Sequence, residues 1–306
     1  MTPTLAQLQA LHAQAGARPR ALPVPPLDAM GRSPRQPDVH TLRQWLRLRD
    51  PAPATPASGA VDRSLPGTEI APGLRLIEAR LPSPAPSRIA GAFDRRDAID
   101  THRVLFFDTE TTGLAGGTGT RAFLVAASAW NQQGLHIRQL LMTTLAAESA
   151  LLGEFARWLA PDTILVSYNG KSYDAPLLRT RYRLARRADP LAGLAHVDLL
   201  YPTRRQYRGA FANCRLATIE REVLNIVRAD DLPGSAAPAA WKTYLHGRAS
   251  TSLKRVLAHN QQDVATLAQL LPHLSTHAAT QATRKGKVGT RLGPVAAITT
   301  SAERPS

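Results

Sequence analysis

Apolar residues in the first part of the folded region follow strand-like patterns. Residues 73–81 have a strand-like composition, and residues 104–107 form a continuous apolar run that ends at Asp108. Such an uninterrupted run is typical of a strand covered on both faces of a sheet. Two further strands are predicted at 122–130 and 135–142, joined by a short turn. The last three of these four segments predict an antiparallel meander.

The hydrophobic pattern then changes to helical spacing. Apolar residues recur every three to four positions at 151–159, and an amphipathic helix is predicted at 252–271, ending at Pro272. The remaining predicted elements are helices at 173–187 and 215–224 and short strands at 163–167 and 197–200. The pattern therefore predicts an α/β fold, with a mixed sheet of a three-strand antiparallel meander plus parallel strands and with helices on both faces.

Composition divides the chain into three parts. Ten of the 24 prolines fall within residues 1–60, a density that does not suit a packed core. We therefore expect residues 1–65 to be a Pro-, Ala- and Arg-rich segment that is mostly disordered. Residues 66–275 are long enough to form one domain with its own core. Residues 276–306 are expected to be a basic, flexible tail.

The net charge of +15 points to a polyanionic partner. Both ends and the middle of the chain are basic, so the charge does not arise from one tail alone. Nucleic acid is the first candidate and an anionic membrane surface is the second. The alternative is that the basic tails only aid solubility.

Several classes of protein are excluded by the sequence. No apolar run approaches the ~20 residues that a membrane-spanning helix needs, and the N-terminus has no signal-peptide pattern. The single cysteine, Cys214, cannot form an internal disulfide or a cysteine-based zinc site. These features predict a cytoplasmic protein without a membrane-spanning helix, and we expect nucleic acid rather than a membrane as its partner.

Four acidic residues are candidates for the chemistry. Asp108 and Glu110 sit at the end of the first core strand, and residues two apart in an extended segment point to the same side. Asp174 lies at a predicted helix start, and Asp263 lies on an amphipathic helix among apolar positions. Carboxylate oxygens suit Mg²⁺ or Mn²⁺, and two such ions ~4 Å apart can promote phosphodiester hydrolysis.

The order and spacing of these acids resemble the DEDD (DnaQ-like) 3′→5′ exonucleases, and within them the YprB-type ribonuclease H-like family. The motifs that carry the resemblance are Asp108-Thr-Glu110-Thr-Thr-Gly113-Leu114, Asn169-Gly-Lys-Ser-Tyr173-Asp174 and His259-Asn260-Gln-Gln-Asp263. Further matches are Gly116-Gly117-Thr-Gly119-Thr120, His196-Val-Asp198, Cys214-Arg215-Leu216, Thr218-Ile219-Glu220 and Asp231-Leu-Pro233-Gly234. The resemblance covers about residues 66–274 and neither tail.

The resemblance implies a ribonuclease H-like fold and a metal-dependent exonuclease that acts on single-stranded nucleic acid at its 3′ end. Asp108, Glu110, Asp174 and Asp263 would be the metal ligands for two Mg²⁺ or Mn²⁺ ions and, with His259, the catalytic residues. The candidate substrate-binding residues beside them are Thr109, Thr111, Gly113, Leu114, Asn169 and Lys171. The sequence does not distinguish DNA from RNA, exonucleolytic from endonucleolytic cleavage, or any protein partner.

The third motif departs from the family pattern at His259. Larger relatives carry a Tyr four residues before the Asp or a His five residues before it, whereas this chain has a His at the Tyr spacing. Residues four apart share a helix face, so His259 can point toward Asp263 and serve as general base. The alternative is a helix-packing histidine beside the metal site.

Basic and aromatic residues after Asp174 offer a binding surface for nucleic acid. The helix predicted at 173–187 is rich in Arg, and Tyr201 and Tyr207 lie among further Arg residues. A solvated charged face is the alternative, and Tyr173 is expected to pack in the core. Two other functions stay open: a nucleic-acid-binding module with little or no catalysis, and a scaffold that binds protein.

Overall fold

A computed structural model of the protein describes residues 61–113, 117–228 and 232–288. The strands are β1 (Thr68–Ala71), β2 (Leu74–Leu81), β3 (Arg88–Ile89), β4 (Ile99–Asp100), β5 (Val104–Thr111), β6 (Ala122–Asn131), β7 (Gly134–Met142), β8 (Ile164–Ser167) and β9 (Ala195–Asp198). The helices are α1 (Glu148–Arg157), α2 (Asp174–Leu184), α3 (Leu200–Tyr207), α4 (Leu216–Val223), α5 (Ala237–Leu245) and α6 (Thr251–Val288).

Seven of the strands form one mixed sheet in the order β1-β2-β7-β6-β5-β8-β9. The predicted meander is confirmed, because β6 pairs antiparallel with both β5 and β7. On one side β2 and β1 continue the antiparallel pairing, and on the other β8 and β9 are parallel to β5. Strands β3 and β4 form a separate pair.

The sheet is covered on both faces, as predicted. Alternate residues of β5 point to opposite sides, so Phe107 and Phe106 belong to different apolar clusters. Helices α1, α2 and α5 pack on the Phe107 side, and α4 packs on the Phe106 side. Helix α6 contributes to both clusters, first with Leu257 and later with Val264. The segment between those two residues carries the polar positions of the third motif.

The predicted end of the last helix at Pro272 is wrong. Pro272 lies inside α6, which continues to Val288. A proline inside a helix removes one backbone hydrogen bond. Here the residues around it, Leu270, Leu271 and Leu274, are fully buried in the core, and this apolar burial holds the helix together.

The predicted domain limits fall partly outside the described residues, since residues 1–60 and 289–306 are not described. Ordered contacts begin before β1: the guanidinium of Arg63 lies 4.5 Å from the ring centre of Tyr244, and Asp62 pairs with Lys254 at 3.0 Å. The predicted tail boundary at residue 276 lies within α6. Among the described helices, none combines the length and apolar character needed to cross a bilayer.

Candidate active site

The four acidic residues of the motifs lie in one cluster, although they come from three distant parts of the chain. Asp108 and Glu110 stand two positions apart on β5. Asp174 is the first residue of α2, and the hydroxyl of Thr109 donates a hydrogen bond to its Oδ1 atom. Asp263 lies on α6, and its carboxylate is within 4.8 Å of that of Glu110.

Burial raises the pKa of every acid in this cluster, and repulsion between the acids adds to the effect at Asp108 and Glu110. Burial raises the pKa of Asp108 well above its usual value, and the charges of the other three acids raise it further. Burial and the charges of Asp263 and Asp174 raise the pKa of Glu110 to about 8. Burial also raises the pKa of Asp174 to about 6 and raises that of Asp263. The cluster therefore favours bound cations.

A buried chain of amide groups orients Asp108. The Nδ2 atom of Asn260 donates to Oδ2 of Asp108 at 2.8 Å, and the amide oxygen of Asn260 accepts from Nε2 of Gln139 at 3.0 Å. Gln139 also donates to the carbonyl of Leu257 at 2.9 Å. Gln139 was not predicted to have a role, although a lone amide among the apolar residues of 135–142 was a usable signal.

The loop between β8 and α2 places Asp174 in the cluster, and it has no space for a side chain at Gly170. A Cβ atom at Gly170 would lie 2.5 Å from Oγ of Ser167 and 3.0 Å from Oδ2 of Asp174. The preceding residue, Asn169, has a left-handed backbone with a φ of 68°. The tight turn thus requires glycine at 170 in order to bring the acid to the cluster.

Asp198, which the resemblance included without a ligand role, supports that loop. Its carboxylate accepts backbone N–H groups from Asn169 at 2.7 Å, Lys171 at 3.0 Å and Leu200 at 3.1 Å. Asp198 is 1% exposed. The side chain of Lys171 is exposed and that of Asn169 is half-buried, so both predicted substrate-binding residues border the site.

The other predicted substrate-binding residues follow β5. Thr109 is held by Asp174, as described above, and the hydroxyl of Thr111 donates to the carbonyl of Gly113 at 2.8 Å. Gly113 is half-buried and ends this part of the described chain. Leu114 lies outside the described residues.

His259 faces Asp263 but has a second partner that the sequence did not indicate. Its Nε2 atom is 3.5 Å from Oδ2 of Asp263, and its Nδ1 atom is 2.9 Å from Nη1 of Arg228. A guanidinium only donates hydrogen bonds, so Nδ1 is the acceptor in this contact. Arg228 also pairs with Asp263 and with Glu220. Burial alone would lower the pKa of Arg228, but its bonds to these two acids raise it above its usual value.

Two residues of the 173–187 segment lie elsewhere than expected. The buried face of α2 includes Leu178 and Tyr182, and Tyr173 falls outside this spacing. Tyr173 is 66% exposed, so its predicted place in the core is wrong. Arg181 does lie on the buried face, where it pairs with Glu148 at 2.6 Å and is not available to nucleic acid.

The donor set of the cluster suits a hard divalent cation. Glu110, His259 and Asp263 each offer a ligand atom, and these atoms lie within 4.8 Å of one another. Oxygen donors predominate once Asp108 and Asp174 are included, which favours Mg²⁺ or Mn²⁺. Burial raises the pKa of Asp108 and of Glu110, and a bound cation would lower both again.

Residues 105–275 match the family model of the RNase_H superfamily. The chain belongs to this superfamily. The match covers more than half of the chain and runs from β5 into α6, so it contains all four acids of the cluster. Nucleases of the RNase_H superfamily generally use divalent metal ions, which agrees with the donor set found here.

Individual relatives extend this comparison. The chain is 37% identical over 175 residues to "Uncharacterized protein YprB" of Bacillus subtilis (strain 168), a match that covers 57% of this chain and 42% of that protein. The chain therefore spans less than half the length of this relative.

Among solved structures, the chain is similar to the family B DNA polymerase from the hyperthermophilic archaeon Pyrobaculum calidifontis, with a TM-score of 0.45 and 16% identity. This match covers 56% of this chain and 24% of the polymerase. A second is an ExoI/SSB-Ct complex, with a TM-score of 0.35, 18% identity and coverage of 51% and 43%.

We expect the metal-free protein to lose stability as the pH rises from about 5 to about 8. The pKa of Glu110 is raised from 4.5 to about 8. Between these values the folded state binds more protons than the unfolded state, so raising the pH favours unfolding. The contribution of Glu110 is complete below pH 4.5 and is lost as the pH passes through about 8. Melting temperatures in EDTA should show the decline, and Glu110→Gln should make it shallower. Equal slopes for the two proteins would contradict the expectation.

Proposed function

We propose that this protein is a metal-dependent 3′→5′ exonuclease that acts on single-stranded nucleic acid ends by a two-metal mechanism. The observation that carries the proposal is the cluster of Asp108, Glu110, Asp174 and Asp263, buried together with raised pKa values. A fold gains nothing in stability from burying four mutually repelling acids. The polarity of cleavage rests on the motif resemblance.

In this mechanism the chain's residues hold the cations and the substrate. Asp108, Glu110, Asp174 and Asp263 would ligate the ions. Divalent ions bound there would lower the pKa of a water molecule and screen the charge that develops on the phosphate. The exposed ammonium of Lys171 borders the site and would attract the phosphate backbone.

The geometry favours a positioning role for His259. A general base needs a nitrogen with a free lone pair directed at the water molecule. Here Nδ1 accepts from Arg228, and Nε2 faces the carboxylate of Asp263. His259 therefore helps to orient Asp263, and the water would be activated by the ions instead.

A nucleic-acid-binding module without catalysis is the second candidate function. The contact between Arg228 and Asp263 favours it, because a permanent cation already neutralises one of the proposed metal ligands. The net charge of +15 suits a nucleic-acid partner in either case. The single cysteine is consistent with action in the cytoplasm.

The proposal is tested with 5′-labelled single-stranded DNA and RNA of one sequence, in Mg²⁺ or Mn²⁺ and in EDTA. Each strand is supplied with a free 3′ hydroxyl and with a blocked 3′ end. We expect a ladder that shortens from the free 3′ end, requires metal, and is absent with Asp174→Asn purified in parallel. Binding by gel shift without degradation would support the second candidate, and internal cleavage of blocked strands would refute the exonuclease.

Substitution of Tyr173 should weaken binding of single-stranded nucleic acid about tenfold. Tyr173 directly precedes Asp174, and Tyr201, which is 42% exposed, contacts the neighbouring Ser172 through its hydroxyl at 3.2 Å. Exposed aromatic rings beside the site can stack on bases, with a contribution of about 1–3 kcal/mol per base.

The measurement is the Kd of Tyr173→Ala for an oligonucleotide and for an abasic strand of the same length, with Ca²⁺ in place of the active ion. We expect weaker binding of the normal strand only. Leu184→Ala, which removes an exposed apolar side chain at the other end of α2, is the matched control. An equal loss on both strands would rule out stacking.

A further inference from the structure

Arg228 is a buried cation that reaches the proposed metal ligands. Its side chain is 9% exposed. One of its nitrogens, Nη2, pairs with Oδ1 of Asp263, and Nη1 contacts Nδ1 of His259 at 2.9 Å. Asp263 and His259 lie on α6, whereas Arg228 follows α4. The guanidinium thus occupies one side of the acid cluster.

Glu220, on α4, anchors this guanidinium. It accepts from Nε of Arg228 at 2.6 Å and from Nη2 at 2.7 Å, which is a two-point contact. Glu220 is 1% exposed and also accepts a hydrogen bond from the hydroxyl of Thr266. Because Glu220 holds one edge of the planar group at two points, Arg228 stays beside the cluster even when its other contacts change.

A guanidinium and a divalent ion compete for the same carboxylate. The Oδ1 atom of Asp263 that pairs with Arg228 is one of the two oxygens that Asp263 can offer to an ion. Two cations held close together at one carboxylate repel each other. A divalent ion bound in the cluster would therefore break the contact between Arg228 and Asp263. N–H groups of the Arg228 guanidinium would become free, while its bonds to Glu220 would keep it beside the cluster.

Freed N–H groups of an arginine pair well with phosphate oxygens, because the planar guanidinium matches two of them at once. Resting on the proposed function, we propose that Arg228 is a phosphate-binding residue of this site, anchored by Glu220 and held on Asp263 until a divalent ion displaces it. Glu220 is then a positioning residue that acts through Arg228. The other reading is a buried ion pair that only joins α4 to α6.

The proposal predicts opposite changes in two affinities when Arg228 is replaced. In Arg228→Met, Mn²⁺ should bind the metal-free protein at least ~10-fold more tightly, because its competitor at Asp263 is gone. In the Mn²⁺-loaded protein, deoxyadenosine monophosphate, a product of the proposed reaction, should bind at least ~10-fold more weakly. General damage to the fold would weaken both. Isothermal titration calorimetry measures the two Kd values without turnover.

Controls separate this idea from its alternatives. Arg228→Met leaves the buried carboxylate of Glu220 without a countercharge. The double variant Glu220→Gln/Arg228→Met replaces the two residues by a neutral pair of similar size, and it should show the same opposite changes. Arg221→Met removes an exposed arginine that pairs with Glu222 and should change neither affinity.

The outcomes distinguish this inference from the proposed function. If Mn²⁺ affinity does not rise in both Arg228 variants, or if monophosphate affinity does not fall, the role of Arg228 is refuted while the nuclease proposal stands. If the wild-type protein binds no Mn²⁺, both proposals fail. Tighter Mn²⁺ binding in the single variant alone would show that the bare charge of Glu220 caused it, and would also overturn the inference.

Discussion

Asp108→Asn should abolish nucleic-acid degradation, with a loss of roughly a thousandfold or more, and should stabilise the metal-free protein. Removal of groups that merely support a metal ligand commonly costs 10–100-fold, so loss of a ligand charge should cost more. The fold should gain stability, because burial and three neighbouring acids raise the pKa of Asp108 well above its usual value. Asn at this position keeps an oxygen for the hydrogen bond from Asn260.

Degradation rates and melting temperatures with and without Mn²⁺ check this expectation together. The wild-type protein should be stabilised by the ion, and the variant should respond much less. Asp162→Asn is a suitable control, since this carboxylate is 63% exposed and pairs only at the surface with Arg103. Activity within tenfold of the wild type would remove Asp108 from the proposed mechanism.

Asp198→Ala should destabilise the protein by about 3–5 kcal/mol and reduce activity as well. Three backbone N–H groups converge on this one buried carboxylate, at 2.7–3.1 Å. Hydrogen bonds to a charged acceptor contribute about 1.5–3 kcal/mol each, and their loss leaves buried donors without partners. Asn169 and Lys171 belong to the loop that places Asp174, so the damage extends to the acid cluster.

Urea unfolding followed by circular dichroism gives the free energy of unfolding, provided that the m-value is unchanged. Asp189→Ala offers a comparison, because Asp189 accepts a single backbone N–H group, that of Leu191, at 2.9 Å, and is 30% exposed, with an ion pair to Arg179 at 3.4 Å. We expect about 1 kcal/mol for that variant. Equal costs at the two positions would show that the three converging bonds are not the source of the stability.

The fold was largely predictable from the sequence because its strands and helices have clear periodicities. The run at 104–107 became the first half of β5, which continues to Thr111, and the segments 122–130 and 135–142 became β6 and β7 with shifts of one residue. Strands β1, β3 and β4 and helices α3 and α5 were not predicted. Strand β1 is mostly exposed and its apolar content is small, so local patterning carried little signal. Pro272 misled the prediction, because a local rule does not register how deeply the flanking leucines are buried.

The four acids of the cluster could be predicted from the sequence, but the burial and contacts of the residues around them could not. The motif spacing selected Asp108, Glu110, Asp174 and Asp263, and the structure brings them together. The sequence did not show that Tyr173, just before α2, is exposed, or that Arg181 lies on the buried face of that helix. Packing against the sheet decides which face of a helix is buried. The many arginines of this segment made that face hard to recognise from the sequence.

The sequence by itself determined the order of the main strands and helices, the acidic motifs and the basic charge, because periodicity, spacing and composition are local properties. Only the tertiary structure decided which polar groups meet across long chain separations. The contacts of Gln139 with Asn260, of Asp198 with the 169–171 backbone, and of Arg228 with Glu220 and Asp263 are of this kind. Such partners are selected by the burial of both groups, since a buried donor or charge without a partner is costly. That cost appears only when the chain is folded.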